Sequence, residues 1–263
     1  IQNMPYHMKA FDVQAERHQY QLTQPVTNKF YGRHNDEIFL NVVEPWVVEK
    51  LGLQFLSEEK EAIYRELYAG NVKLTDGLDA LLADAKSKGV KIEHYINSSG
   101  LAEMIEGTPI AKEFKKIFAC SFLYNKEGEA EWPGVAVDYT AKTQFLFKIN
   151  KGILSVRDNK KVNESQMEEN KRIPFPHMVY FGDGETEVPC MKIVKMFGGN
   201  SIAVYNPNIP RKKNMARRLL RQQRVNFITP ADYTKESRTY EVVCSIIDKI
   251  KIDFALAKLS KFK

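Results

Sequence analysis

From about residue 76 onward, short apolar runs alternate with longer amphipathic stretches. The runs at 91–96, 117–124, 134–137, 178–181, 201–205 and 225–228 are rich in β-branched and aromatic side chains, and read as strands. The stretches at 76–89, 101–116, 140–151, 187–197, 211–222 and 239–259 repeat apolar positions every three to four residues, and read as helices. Thr75 or Asp76 caps the first of these and Gly89 stops it. The helix at 101–116 is interrupted near Gly107 and Pro109, and Asn125-Lys-Glu-Gly128 makes a turn. Residues 155–175 form a charged, polar loop. Strands alternating with helices predict an α/β fold, with a mainly parallel central sheet flanked by helices. Such sheets place ligands at the carboxyl ends of their strands, where the turns after Ile96 and Phe181 would both lie.

Residues 1–35 are polar and poorly periodic, apart from a short candidate strand at 7–11. Residues 36–69 read as helices, with Asn35 or Asp36 capping the first and Ser57-Glu-Glu-Lys60 starting the second.

The chain has 263 residues, of which 43% are hydrophobic and 27% charged, ordinary values for a globular protein. No apolar run approaches the ~20 residues needed to span a bilayer. The first residues, Ile1-Gln-Asn-Met-Pro5, do not read as a signal peptide, and the absence of Met at position 1 implies a removed leader or a start inside the gene product. Cys120, Cys190 and Cys244 are widely spaced and form no CxxC pair, which predicts reduced thiols in an intracellular reducing compartment, cytoplasm or organelle matrix. The net charge is +6 but unevenly spread: residues 211–224 hold seven Arg and Lys and no acid.

Three segments carry candidate chemistry. In Tyr180-Phe-Gly-Asp183-Gly-Glu-Thr-Glu187 an apolar strand delivers a carboxylate at its tip, between two glycines, with a second acid opening the next helix. Mg²⁺ takes oxygen ligands and one or two protein carboxylates, so the pattern suits it; an acidic helix start explains it equally well. In Ile96-Asn-Ser98-Ser99-Gly100 a strand ends in small hydroxyl residues before a helix, which makes either an anion site or a simple Ser cap. In Thr140-Ala-Lys142, a lysine in the first turn of a helix opposes the macrodipole and suggests a ligand-facing role, although most lone lysines face solvent.

The order of the three is more telling than any one. A strand-tip Ser-Ser-Gly, a helix-start Lys and a strand-tip Gly-Asp-Gly followed by an acid resemble motifs two to four of the haloacid-dehalogenase-like (HAD) phosphatases, in the phosphoserine-phosphatase-like branch. The resemblance runs through residues 75–245, in stretches such as HYINSSGLAEMIEGT, TAKTQFLFKINKGI and YFGDGETEVPCMKIVKMFGGNSIAVYNP. It implies a Rossmann-like core with a helical cap and a small β-hairpin insertion. It implies that Ser98, with Ser99 and Gly100, binds phosphate, that Lys142 neutralises phosphate and nucleophile, and that Asp183 and Glu187 hold Mg²⁺. Glu187 stands where relatives usually carry Asp.

The family's first motif, Asp-x-Asp-x-Thr on the first core strand, supplies the attacking carboxylate and the general acid and base. No Asp-x-Asp occurs in residues 1–75. The best candidate is Asp12 in Phe11-Asp-Val-Gln14-Ala-Glu16. It leaves Gln14, which exchanges no proton near neutral pH, in the acid/base position, and Glu16 in the Thr position. General acid–base help is worth ~10²–10⁴-fold. The alternative is that motif one is lost.

The expected organisation is an N-terminal arm and first core strand at 1–12, a helical cap at 13–74, a HAD-like core at 75–240, and a C-terminal amphipathic basic helix at 241–263. The basic segment places Arg211, Arg218 and Arg221 near one helical face, with Lys212, Lys213, Arg217 and Arg224 alongside, which fits RNA or an acidic protein surface. A solvated basic face is the plainer reading. Residues 1–35 read either as an extended docking arm, anchored by Tyr20, Phe30 and Tyr31, or as a loose terminus. Together these features favour a catalytically impaired phosphatase-fold protein, a pseudoenzyme acting as a structural or docking subunit of a larger RNA-containing or organellar assembly. The alternative is a Mg²⁺-dependent phosphomonoesterase working through an aspartyl-phosphate.

Overall fold

The computed structural model describes residues 4–30, 33–69, 71 and 75–260. They fall into two compact units, Ile1–Leu74 and Thr75–Lys263.

The described part of the first unit is helical: α1 (Met4–Arg17), α2 (Asn35–Val42), α3 (Pro45–Leu51) and α4 (Leu53–Ala69), with a single 3-10 turn at Asn28–Phe30. The strand expected at 7–11 is part of α1. Met8, Phe11 and Ala15 recur at helical spacing and turn one face to the core, whereas a strand would have sent them to alternate faces. Phe11 meets Phe39 at 4.8 Å between ring centroids, and Val42, Val47 and Leu56 complete the cluster. Gln14 is fully buried, its amide donating to Leu56 O at 3.0 Å and to Glu59 Oε2 at 2.8 Å. Tyr20 and Phe30, expected to anchor an extended arm, are buried in this core, and Tyr31 lies outside the described residues. The second helix of the pair at 36–69 does not start at Ser57. It starts at Leu53, after Gly52 turns the chain with φ +81°, and Ser57 sits one turn inside, donating to Asp36 Oδ1 at 2.5 Å.

The second unit is α/β. Its elements are α5 (Leu78–Ser87), β1 (His94–Leu101), α6 (Ala102–Glu106), β2 (Phe114–Tyr124), β3 (Ala130–Val135), α7 (Ala141–Lys151), α8 (Asn159–Asn163), β4 (Val179–Gly182), α9 (Val188–Met196), β5 (Asn200–Tyr205), α10 (Pro210–Arg221), β6 (Phe227–Pro230) and α11 (Arg238–Leu259). The strands form two three-stranded sheets, in the orders β1-β2-β3 and β4-β5-β6. β1 and β2 are parallel, as are β4, β5 and β6, and β2–β3 is an antiparallel hairpin. Helices cover both faces. One layer, built on Phe118, Phe145, Ile149, Cys190 and Val194, receives Tyr95 and Tyr180, and the other, built on Leu81, Ile202, Ile246 and Ile250, receives Val179. The burial of Asn200 to Ala203 is why the β5 segment reads as a nearly continuous apolar run.

Three expectations change here. The helix predicted at 101–116 shrinks to α6 and a 3-10 turn at Ala111–Glu113, because Pro109 interrupts it and the aromatic-rich Phe114–Tyr124 segment takes the strand. Ser98-Ser99-Gly100 is a bulge inside β1 rather than a turn after it, since pairing with β2 resumes at Leu101. The loop at 155–175 carries α8 and is pinned by buried Lys148, which donates to Ser155 O and Asp158 O at 2.9 Å each. α11 is part of the same compact unit, with Ile246, Ile247 and Ile250 buried; Lys261 and Lys263 lie outside the described residues. No helix among the described residues is long and apolar enough to cross a membrane.

Candidate functional site

The C-terminal ends of β1 and β4, with the first turn of α7, hold the residues that the sequence singled out. Lys142 enters through α7, whose start is fixed by a residue the sequence reading passed over. Asp138 Oδ1 accepts from the Ala141 N–H and the Thr140 hydroxyl, both at 2.6 Å, so an aspartate three residues before the helix satisfies its free donors. An Asp ahead of Tyr-Thr-Ala was the available signal.

Lys142 is buried, with 3% of its surface exposed. Its ammonium meets Glu187 Oε1 at 2.5 Å and Thr186 Oγ1 at 3.5 Å. That pairing resolves the unfavourable placement of a cation at a helix start. Glu187 is itself fully engaged, because Thr186 donates to Oε1 at 2.7 Å and the Gly184 N–H donates to Oε2 at 3.0 Å. Burial pushes the Glu187 carboxyl up, but the bonds from Lys142, Thr186 and Gly184 together outweigh it and hold the group below the usual carboxylate range. The two glycines of Gly182-Asp-Gly184 are explained by the same side chain. A Cβ at Gly182 would stand 2.7 Å from Glu187 Cβ, and one at Gly184 would stand 2.8 Å from Glu187 Oε2. The close approach they permit is that of Glu187 folding back over the strand tip.

Asp183 is exposed at the tip of β4. Lys212 of α10 donates to its carbonyl at 3.1 Å and approaches its carboxylate at 3.5 Å. Glu185 pairs with Arg218 of α10 at 2.6 Å. Each acid of the Asp183–Glu187 turn therefore has a cationic partner, two from the basic helix and one from α7.

This arrangement can be tested against Mg²⁺. A hard cation needs carboxylate or carbonyl oxygens free to turn toward it. Glu187 gives Oε1 to Lys142 and Thr186 and Oε2 to the Gly184 N–H, and no group of three His, Cys, Asp or Glu side chains gathers among the described residues. The exposed carboxylates of the turn, Asp183 and Glu185, are each paired with a cation of α10. The residues present do not make a Mg²⁺ site by themselves.

On β1, Ser98 Oγ accepts from the Gly100 N–H at 3.0 Å, and Ser99 and Gly100 are exposed on the bulge. Asn97 Nδ2 donates to Lys142 O at 2.9 Å and lies 3.9 Å from Cys190 Sγ, which ties the end of β1 to α7 and α9. Its Oδ1 is buried without a partner. Burial pushes the Cys190 thiol up, so it stays protonated, and burial likewise raises the Tyr180 hydroxyl beside it.

Asp12 belongs to the other unit. It lies on the exposed side of α1, two residues before a Gln14 that is committed to the helical core. It lacks the strand-tip setting on which its candidacy rested, and no Asp-x-Asp occurs in the 263 residues. On α10, Ala216 and Leu219 face the core. Arg211, Arg217, Arg221 and Arg224 are exposed and make no ion pair among the described residues, while Lys213 stacks over Tyr205 at 5.9 Å.

No family model matches the chain. An uncharacterized protein of Borreliella burgdorferi is 28% identical over 228 residues, spanning 78% of this chain and 76% of its own. Among solved structures, a HAD family hydrolase of Salmonella enterica serovar Typhi is similar at a TM-score of 0.37 and 17% identity, over 58% of this chain and 44% of that one. A predicted phosphoglycolate phosphatase of Haemophilus somnus is similar at a TM-score of 0.45 and 12% identity, over 89% of each chain.

Proposed function

We propose that the Thr75–Lys263 unit is a phosphate-holding module of the HAD phosphatase type that does not hydrolyse phosphomonoesters by itself. The observation that carries the reading is the buried Lys142–Glu187 pair, which draws the start of α7 to the Asp183–Glu187 turn while Asn97 draws β1 to the same helix. Lys142 and the Asp183–Glu187 turn thus bond to each other, and Asn97, the residue before the Ser98–Gly100 bulge, bonds to the same helix. An anion arriving at the Ser98–Gly100 bulge would meet the Ser98 hydroxyl, whose oxygen accepts from the Gly100 N–H. Lys142 would supply compensating charge from below, at the cost of sharing it with Glu187. The reading is supported by Gln14 and Asp12, since the first is committed to the helical core and the second lies exposed on a helix, where neither is placed as an attacking carboxylate or a leaving-group acid would be.

The free guanidinium groups of α10 support the second half of the proposal, a docking role toward RNA in a larger assembly. Lys212 and Arg218 hold the helix against the Asp183–Glu187 turn and leave Arg211, Arg217, Arg221 and Arg224 for a partner.

The test is a titration with inorganic phosphate, followed through backbone amide shifts. The expected result is saturable movement at Ser98, Ser99 and Gly100 that disappears in Ser98→Ala. Movement confined to α10, or none, removes the phosphate-holding assignment.

A further inference from the structure

α11 changes character halfway along. Its first half is an ordinary surface helix. Thr239, Val243, Ile246, Ile247 and Ile250 are buried, and the opposite face carries Glu241, Ser245 and Asp248, all exposed and polar. From Lys251 the pattern inverts. The line that held Glu241, Ser245 and Asp248 continues as Ile252, Leu256 and Leu259, spaced four and three residues apart on one face. These three are 60%, 58% and 76% exposed, so large aliphatic side chains face solvent where the same face was polar two turns earlier. Single exposed apolar residues are common, but a continuous stripe of them marks an interaction surface.

The charges around the stripe identify the kind of surface it meets. Lys251 and Lys258 border it on one side and Lys249 on the other, all three exposed. Residues 249–263 contain five lysines and a single acid, Asp253, which is already paired with Lys249 at 2.9 Å. Facing this stripe with a second copy of itself would bring lysines against lysines. RNA is read by arginine forks and stacked aromatic rings, whereas this stripe is aliphatic and its cations are lysines. An apolar stripe flanked by lysines matches a bilayer whose headgroups are anionic: the aliphatic side chains enter the acyl boundary and the lysine stems reach back to the phosphates.

We propose that the Lys249–Leu259 half of α11 is a peripheral membrane-binding element, laying the Ile252–Leu256–Leu259 stripe into the surface of an anionic bilayer. The helix lies in the plane of the interface, in keeping with α11 being neither long nor apolar enough to cross it. The assignment does not rest on phosphate binding at Ser98 or on the docking role of α10.

Co-sedimentation of the full chain with lipid vesicles tests it. The expected result is binding to phosphatidylcholine vesicles containing one third phosphatidylglycerol, and none to pure phosphatidylcholine. Leu256→Glu with Leu259→Glu should weaken the partitioning by about tenfold or more, since both apolar contact and charge are altered. These side chains are exposed, so the urea midpoint should stay where it is. Lys251→Gln and Lys258→Gln should each cost about fivefold. Arg217→Glu with Arg221→Glu, on α10, should leave the α11-driven partitioning in place. In a Leu256→Trp variant, the new indole fluorescence should shift to the blue on anionic vesicles and be quenched by brominated acyl chains. No binding to anionic vesicles, equal binding to both kinds, binding that survives Leu256→Glu with Leu259→Glu, binding abolished by the α10 variant, or an indole at position 256 that acyl-chain bromine does not quench would each overturn the proposal.

Discussion

Replacing Lys142 with methionine isolates the interaction that joins α7 to the Asp183–Glu187 turn. Methionine keeps most of the buried stem and removes the ammonium. The side chains of Lys142 and Glu187 are 4% and 16% exposed, so the substitution leaves a nearly buried carboxylate without its cation. Breaking such a pair from one side costs about 3–5 kcal/mol. Glu187 keeps its bonds from Thr186 and the Gly184 N–H, so we expect a cost below that range, about 2–3 kcal/mol. The assay is urea unfolding of the wild type, Lys142→Met, Glu187→Gln and the double variant. The double variant should cost less than the sum of the singles by about 1–2 kcal/mol, because the second substitution removes the charge that the first one stranded. A single-variant cost below about 0.5 kcal/mol, or additivity within about 0.3 kcal/mol, would mean that the pair does not hold the turn in solution.

The same pair fixes a pH dependence. The folded-state value of Glu187 is depressed, so its contribution is full above the ordinary carboxylate range and is lost as pH falls through the lowered value; the stability gap between wild type and Glu187→Gln should narrow from neutral pH to about pH 3. Gly77→Ala should destabilise by about 2–4 kcal/mol, since Gly77 has φ +81° and a Cβ there would stand 2.4 Å from Thr234 N; calorimetry of the variant checks this. Phe39→Ala should cost about 3–5 kcal/mol by removing the partner of Phe11 from the helical core, measured by urea unfolding followed through a probe in the Ile1–Leu74 unit.

The β4–α9–β5–α10 stretch was legible because each of its signals is local: an apolar run, Gly and Asp at the turn, Pro189 and Pro210 in first helical turns, and amphipathic repeats. The segment at 7–11 misled because a few apolar residues fit either a strand or one face of a helix. Only the partners of Phe11 and Gln14, at Phe39 and Leu56, decide between them. Lys142 and Glu187 were each singled out, but from sequence both read as facing a ligand. That they face one another depends on a tertiary contact across 45 residues. The need for Gly182 and Gly184 likewise depends on Glu187 folding back over the strand tip, which no local pattern encodes. Asp138 was missed because its role is to cap α7, and the reading centred on Lys142 itself.

The most direct test of the account is turnover of p-nitrophenyl phosphate in the presence of Mg²⁺, by the wild type and Asp12→Asn in parallel. The account predicts no release of nitrophenol above background, and no difference between the two proteins. Sustained Mg²⁺-dependent hydrolysis that vanishes in Asp12→Asn would contradict it, and would make Asp12 the nucleophile of a working phosphatase.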